Sequence, residues 1–447
     1  MISGLKKTAL IAGGGLAGLS AAVFLDELGY EVTLLEKKTV FGGRTYSFAD
    51  KKFETIVDNG QHLMVGAYHE TIALLEKVGA KHKVAIKNPT IVPLALEDGK
   101  IARFVLGSLR PPLGLVWALL RFSGFSLKDK LSFLRLGSEL RDFLKSQKPL
   151  PAEITVNQWL RSVGQSEFAI KNFWEALTLA TLNDSPDIAS ADALVTVLLK
   201  SYFAGPRDGH LVFPKVGLTE LFVEPILKYL EARSQTIVTG NGVKEIRILN
   251  GHVQSFILSD GVQRKADLYV SAMPFHRLLG VLPEPFVDSR ADLVGLRSFH
   301  HSPILSVNLF FDTPVLEEDF IGSATTRVHW FFNKGCIKDK KLYHVMGVVS
   351  GAYDYLDKDK DGIVALSCED LRRISSKARD AKLVHSLVNI ERQATLSCRI
   401  GINALRPSQK ILDNFFIIGD WTKTGLPPTI ESAVLSAKLM QEALCGH

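Results

Sequence analysis

The sequence predicts an α/β fold: a discontinuous Rossmann-like dinucleotide-binding domain joined to an α+β domain facing a substrate. Three observations predict it. A strand, glycine loop, helix, strand and terminal acid run without a break from Thr8 to Glu36. A second strand-to-helix unit, carrying Gly419-Asp420, lies at the far end of the chain. Between them, helical stretches alternate with short apolar strands and hairpin turns.

The first unit is justified part by part. Thr8-Ala9-Leu10-Ile11-Ala12 is a short apolar run, the pattern of a buried parallel strand. Gly13-Gly14-Gly15-Leu16-Ala17-Gly18 fits G-x-G-x-x-G. Leu19 to Leu28 reads as a small-residue helix, with Gly29 as its stop. Glu31 to Leu35 is the next strand, and Glu36 stands 18 residues past Gly18. In such a unit Gly13 allows a tight turn, Gly15 lets a pyrophosphate approach the backbone, and Gly18 lets the helix pack close to the strand. The helix N-terminus offers free N–H groups to phosphate, and Glu36 can accept from ribose hydroxyls.

Composition sets bounds. The 447 residues are enough for two or three domains with a large core. Hydrophobic residues make up 46% and charged residues 22%, an ordinary globular balance. A net charge of +6 is mild for this length; it gives no case for nucleic acid and suits an anionic cofactor or an anionic membrane surface. The four cysteines, Cys336, Cys368, Cys398 and Cys445, form no C-x-x-C, so no metal centre is expected from them, and a reduced cytoplasmic setting is the default. Lys6-Lys7 before Thr8 to Leu25 resembles a signal peptide, but the glycine fingerprint accounts for that run better. No run of 18 apolar residues predicts a membrane span.

Further along, Phe41-Gly42-Gly43-Arg44 places flexible backbone and a cation just beyond the first unit. Val57 to Gly66 mixes polar and apolar residues without a period, as a loop against a ligand does. Tyr68 to Val78 reads as an amphipathic helix, and Asn88 to Phe104 as strands around the turn Glu97-Asp98-Gly99-Lys100. Phe104 to Leu136 crowds Leu, Trp and Phe with Arg110, Arg121, Lys128, Lys130 and Arg135, and Pro111-Pro112 interrupts it. Two readings stand there: a peripheral membrane contact, or a pair of ordinary helices. Residues 150–205 look helical, a lid or wall for an apolar substrate, and Phe213 to Leu221 begins another helix. Asn250-Gly251 turns a hairpin. Asp357 to Gly362 partly resembles a calcium loop, but Cys368 stands at the twelfth position where glutamate is needed, so a solvated turn is expected.

The last unit is Phe415 to Ile418, then Gly419-Asp420-Trp421-Thr422, with Gly425-Leu426-Pro427-Pro428 opening a helix. A simple nicotinamide dehydrogenase has no use for this second helix N-terminus. A flavin does: the aspartate can hold its ribityl or pyrophosphate end, and the helix N-terminus can stabilise negative charge on the reduced ring.

With both ends read, the chain resembles the flavin amine oxidase and phytoene desaturase superfamily, and within it the squalene-associated FAD-dependent branch, the hydroxysqualene dehydroxylases. The residues that carry this are Gly13 to Gly18 with Glu36; Gly42 to Thr45; Asp58 to Leu63; Phe173 to Leu177; Leu182-Asn183; Ala189 to Ala191; Arg406-Pro407; Gly419 to Thr422; and Gly425 to Val434. Ser432 stands where the pattern has glycine, a departure that bears on packing at the helix start. The resemblance implies a flavin amine oxidase-like fold with non-covalent FAD and a tunnel for a long isoprenoid. It divides the chain into FAD-binding parts at 1–75, 213–285 and 395–447, and substrate-facing parts at 76–212 and 286–394. It implies cofactor contacts at Gly13, Gly15, Leu16, Ala17, Gly18, Glu36, Lys37, Gly43, Arg44, Gly60, Gln61, His62, Val243, Asp420, Thr429 and Ile430.

The branch reaction removes the hydroxyl of hydroxysqualene with reduced FAD, giving squalene and water. It needs positioning of the reacting carbon, a proton for the leaving hydroxyl, and exclusion of water. His62, aided by Gln61, is the candidate donor, because an ordinary imidazole pKa of about 6.5 suits donation near neutrality. A purely flavin- or backbone-bonding role for His62 is the competing reading. Asp187, Asp208 and His210 are weaker candidates. No second nucleotide fingerprint is visible, so the electrons are expected from a separate electron donor, either a reductase or free reduced flavin. The rivals are a carotenoid desaturase running hydride transfer the other way, an amine oxidase, and a non-catalytic FAD-binding membrane scaffold. The implied location is the cytoplasm, at the inner face of the membrane.

Overall fold

The computed structural model describes residues 6–53, 55–107, 109–110, 113–146 and 149–446. The predicted break at Pro111-Pro112 lies outside them.

The organising element is a six-stranded sheet in the order Thr236–Val238, Glu31–Leu35, Thr8–Ala12, Leu268–Ser271, Phe415–Ile417, Lys410–Leu412. The first five strands are parallel and the last is antiparallel. Segments remote in sequence thus share one sheet, the discontinuous Rossmann-like architecture. The central strand shows why its residues are uniformly apolar: successive side chains point to opposite faces, and both faces are covered. Ala9 and Ile11 pack among the helices, whereas Leu10 and Ala12 pack with the hairpin of Val243–Leu249 and His252–Leu258. On the helical face, Leu16–Glu27 packs against Ile430–Cys445, so the two ends of the chain meet. The Asn250-Gly251 turn has positive φ at both residues, as a two-residue hairpin turn requires.

The second domain is built on a seven-stranded sheet, ordered Leu383–Leu396, His301–Phe311, Leu342–Ser350, Trp330–Ile337, Phe320–Ser323, Thr90–Ala95, Ile101–Leu106. Period-two alternation again splits it. Trp330 and Phe332 join a core shared with the helices of residues 113–202, while Phe331 joins the core on the opposite face. The Phe104–Leu136 stretch resolves into the end of a strand and two helices, Leu113–Arg121 and Leu127–Ser146.

Two expectations about element boundaries are corrected. Phe213 and Pro214 end the strand Leu211–Pro214, which pairs with both Met64–Val65 and Val84–Ile86; helix begins only near Thr219. A short apolar run carries no period to separate the two states, and pairing decided it. Gly425 to Pro428 is loop rather than first helical turn. The helix starts at Ile430, where Thr429 caps it by accepting from the Ser432 N–H at 3.2 Å. In the calcium-loop-like segment, Asp359 caps the helix Lys360–Ile374 through the Gly362 N–H at 2.7 Å.

Candidate active site

One cavity of about 1340 Å³ runs from the nucleotide edge of the parallel sheet to the inner face of the seven-stranded sheet. Single small-ligand pockets hold roughly 300–1,000 Å³, so this space suits a cofactor and a substrate together. Both helix N-termini named above open into it: Leu16 and Ala17 at one, Thr429, Ile430 and Glu431 at the other.

At the nucleotide end, backbone approach is the governing feature. Gly13 has φ +113°, and a Cβ there would sit 2.8 Å from the Ala272 carbonyl oxygen. Gly18 is tighter, because a Cβ would meet the Gly13 carbonyl oxygen at 1.9 Å. Gly15 differs: a Cβ there touches only Gly43, at 3.8 Å. Gly15 and Gly43 therefore lie backbone to backbone: a Cβ on Gly43 would come within 3.0 Å of the Gly15 Cα, whereas the Cβ direction of Gly15 is free of protein atoms closer than 3.8 Å. The Glu36 carboxylate accepts from the Gly14 and Lys38 N–H groups at 2.7 and 2.8 Å. Lys37 and Val243 line the same end.

Arg44 crosses from this glycine pair to the C-terminal segment. Its guanidinium donates to the Asp420 carboxylate at 2.7 Å and to the Ala394 carbonyl at 2.5 Å. Asp420 is in turn set by Arg406, a buried guanidinium that donates to the Asp420 carbonyl at 2.7 Å and to the Leu426 carbonyl. Ser432 fits this arrangement: its hydroxyl lies 2.7 Å from the Thr424 hydroxyl and 3.3 Å from Arg406, so the departure from glycine adds hydrogen bonds at the helix start. Glu431 joins the last helix to the helix His69–Lys77, accepting from the Glu70 and Thr71 N–H groups at 2.9 Å.

Gly60, Gln61 and His62 border the middle of the cavity, beside Ser306; a Cβ on Gly60 would lie 3.4 Å from the Ser306 hydroxyl. The expectation of an ordinary imidazole pKa for His62 is corrected. Burial pushes it down to about 4; Asp58 opposes this while Arg44 and Lys334 add to it, so the ring is neutral near pH 7. Asp187 instead accepts from Asn157, Asp208 meets His69 at 2.9 Å, and His210 lies 3.3 Å from the Thr90 hydroxyl. None of these three lines the cavity.

Sequence reasoning did not single out four residues here. His276 and His301 meet ring to ring at 3.0 Å and line the cavity, and burial pushes His301 down to about 4. Thr395 lines it with a buried hydroxyl that has no partner among the described residues. Lys334 donates to Gln61. These residues lie far apart in sequence, and no local motif marks them.

Beyond Ser306 the wall changes character. Across neighbouring strands, Ile304 pairs with Glu391 and Ser350, and Ser306 with Val348, which pairs in turn with Trp330. The lining thus passes from Glu391, Ser306 and Ser350 to Trp330, Phe320, Phe332 and Phe104. Among the described residues no group of His, Cys, Asp or Glu could hold a metal ion.

The open side of Gly15, where a Cβ would meet no protein atom closer than 3.8 Å, the orphaned Thr395 hydroxyl and the two helix N-termini fit a flavin dinucleotide. The chain matches the flavin containing amine oxidoreductase family over residues 16–440. It is 24% identical to the 15-cis-phytoene desaturase of Glycine max, over 97% of this chain and 79% of that one. It is likewise 24% identical to the hydroxysqualene dehydroxylase of Zymomonas mobilis, over 98% and 99%. An oxidoreductase structure from Methanosarcina mazei superposes with a TM-score of 0.75 at 18% identity, covering 97% of this chain and 100% of that one. With the fold, the cavity and the family match in agreement, the chain belongs to the flavin-containing amine oxidoreductases and is an FAD-dependent oxidoreductase.

Proposed function

We propose that this enzyme removes the hydroxyl of a long isoprenoid alcohol, hydroxysqualene, to give squalene and water. The observation that carries the reading is the change along the cavity wall, from the polar groups at Gln61, His62 and Ser306 to the aromatic surface of Trp330, Phe320 and Phe332. A hydrocarbon chain with one central oxygen needs such a wall. The end-to-end match to the Zymomonas hydroxysqualene dehydroxylase, and the Asp58 to Leu63 and Gly419 to Thr422 motifs, support it.

Reduced FAD, when bound, supplies the hydride that replaces the hydroxyl. The chain supplies the rest. Gly13 and Gly18 set the tight turn and the close helix packing, and Gly15 would let the pyrophosphate approach the backbone, with Leu16 and Ala17 offering N–H groups. Glu36, Lys37 and Val243 take the adenosine end. Arg44 and Asp420 would hold the middle, and Thr429-Ile430 with Gly60-Gln61 would border the ring. The aromatic wall excludes water, which would otherwise return the alcohol. His62 is neutral near pH 7 in the free chain; an anionic cofactor beside it would raise its proton affinity, and the imidazole would then hold the proton that the leaving hydroxyl needs, with Gln61 assisting.

The helices Leu113–Arg121 and Leu127–Ser146 expose Leu113, Trp117, Leu127 and Leu131 while burying Leu115, Leu119, Phe133 and Leu136. The buried set shares a core with Phe104 and Phe173, which line the cavity. We read the exposed set, with Arg121, Lys128 and Lys130 around it, as a peripheral contact with the inner membrane face, where the substrate dissolves. No helix among the described residues is long and apolar enough to cross a membrane. A separate donor reduces the FAD.

The second reading, desaturation of a carotenoid-type polyene, is favoured by the phytoene desaturase relatives. Product analysis separates the two. With reduced FAD, hydroxysqualene should yield squalene by mass spectrometry. Conjugated, visibly absorbing products from phytoene with oxidised FAD, and no squalene, would reverse the assignment.

A further inference from the structure

Lys334 lies outside the cavity lining, yet the structure directs it at the site. It belongs to the strand Trp330–Ile337, whose register with Leu342–Ser350 slips between Asn333 and Gly335. Asn333 pairs with Val345 and Gly335 with His344, so Lys334 is the extra residue of a bulge. A bulge re-aims the side chain it carries. This one is itself braced: the Asn333 side chain accepts from the Gly335 N–H at 3.0 Å and donates to the Leu316 carbonyl at 2.9 Å. Gly335 has φ +87°, a conformation that a side chain would strain.

The re-aimed ammonium donates to Gln61 Oε1 at 3.0 Å. Asp58 balances its charge at 3.5 Å. Asp58 is fixed in turn by the Ser47 hydroxyl at 2.7 Å and the Leu218 N–H at 3.0 Å. An ammonium has donors only, so the amide atom facing it must be the oxygen. The Gln61 amide therefore cannot flip. Its Nε2 is turned the other way, with a single long contact of 3.4 Å to the His62 carbonyl. One N–H remains for whatever occupies the cavity beside Gly60 and His62.

We propose that Lys334 is a positioning residue: it locks the Gln61 amide so that the N–H faces the flavin end of the cavity, and its charge strengthens that donor. This deepens the proposed function, on which the turnover arm below rests; the flavin arm stands without it. The lock is needed because a free glutamine amide presents oxygen or nitrogen with nearly equal ease, and an oxygen turned toward an electron-rich ring would repel it.

The test is a double-mutant cycle on the FAD-loaded enzyme, with Lys334→Met, Lys334→Arg, Gln61→Ala and the double variant Lys334→Met/Gln61→Ala. Two quantities are read: the absorption spectrum and reduction midpoint of the bound flavin, and the rate of squalene formation. Lys334→Met should shift the flavin band and midpoint and slow turnover roughly 10- to 100-fold, the range of a lost charge-assisted hydrogen bond. Lys334→Arg should restore both, because it keeps a donor. In the Gln61→Ala background, Lys334→Met should change either quantity by less than about twofold. Equal effects in both backgrounds would overturn the proposal, as would a lower melting temperature with flavin spectrum and midpoint untouched. If no variant, nor the parent chain, forms squalene while the flavin cycle behaves as described, the substrate reading fails and the positioning role survives.

Discussion

Two glycines three residues apart should respond to the same methyl group in opposite ways. Gly15→Ala adds a Cβ whose nearest protein atom, the Gly43 Cα, is 3.8 Å away, an ordinary contact. Gly15 already has φ −73° and ψ 178°, a conformation alanine accepts. As the cap residue of the helix, its exchange for alanine costs about 1 kcal/mol or less. The apo protein should fold nearly as before. The methyl does, however, fill the space that phosphate needs, and losing about 3 kcal/mol of phosphate contacts weakens FAD roughly 100-fold. In Gly18→Ala the Cβ lands 1.9 Å from the Gly13 carbonyl oxygen and 3.1 Å from the Ala272 Cβ. The helix must retreat by about 1 Å, overpacking of a kind that costs roughly 1–3 kcal/mol. That variant should lose stability with or without cofactor. Thermal unfolding of both apo proteins, with FAD titration followed by flavin fluorescence, reads the contrast. A folded Gly15→Ala that binds FAD like the parent would contradict this contrast, as would a Gly18→Ala of unchanged apo stability.

Three further outcomes follow from the same geometry. Asp420→Asn removes the ionic partner 2.7 Å from Arg44 and should weaken FAD roughly tenfold by the same titration. His62 and His301 are both pushed down to about 4. The unfolded chain, with imidazoles near 6.5, binds more protons below that pH, so the stabilisation is complete above about 6.5 and is lost as pH falls toward about 4. Urea midpoints of the apo protein should drop between about pH 7.5 and 5, and His62→Gln should flatten the drop; a pH-independent midpoint contradicts the burial. Leu113→Asp with Leu127→Asp, at positions 63% and 81% exposed, should cut binding to anionic liposomes more than about tenfold without changing FAD content. Unchanged liposome binding would return these helices to the ordinary reading.

Much of the nucleotide end was legible from the sequence because its parts are contiguous. Gly13 to Gly18 and Glu36 form one local unit whose spacing encodes its geometry, and Gly419-Asp420 follows directly on its strand. What was not legible depends on pairing between distant segments. Arg406-Pro407 stood in the sequence as part of the resemblance, but the hydrogen bond of Arg406 to the Asp420 carbonyl needs the fold. Lys334 gains its direction from a bulge that only a partner strand can define. The polar-to-aromatic wall needs the register of four strands. The imidazole of His62 was assigned its ordinary pKa because a sequence shows neither burial nor the cations that the fold gathers around it. The start of the last helix was placed too early because proline is tolerated in a first turn, and nothing local says that it must stand there.

In the proposed reaction the bound flavin gives its hydride to an isoprenoid alcohol. The direct measurement is anaerobic: reduce the FAD on the enzyme, add hydroxysqualene, and follow flavin reoxidation alongside squalene by mass spectrometry. The account predicts that the two rise together, one squalene for each flavin reoxidised. A flavin that stays reduced beside intact hydroxysqualene, with oxidised enzyme instead drawing conjugated polyenes from phytoene, would contradict it.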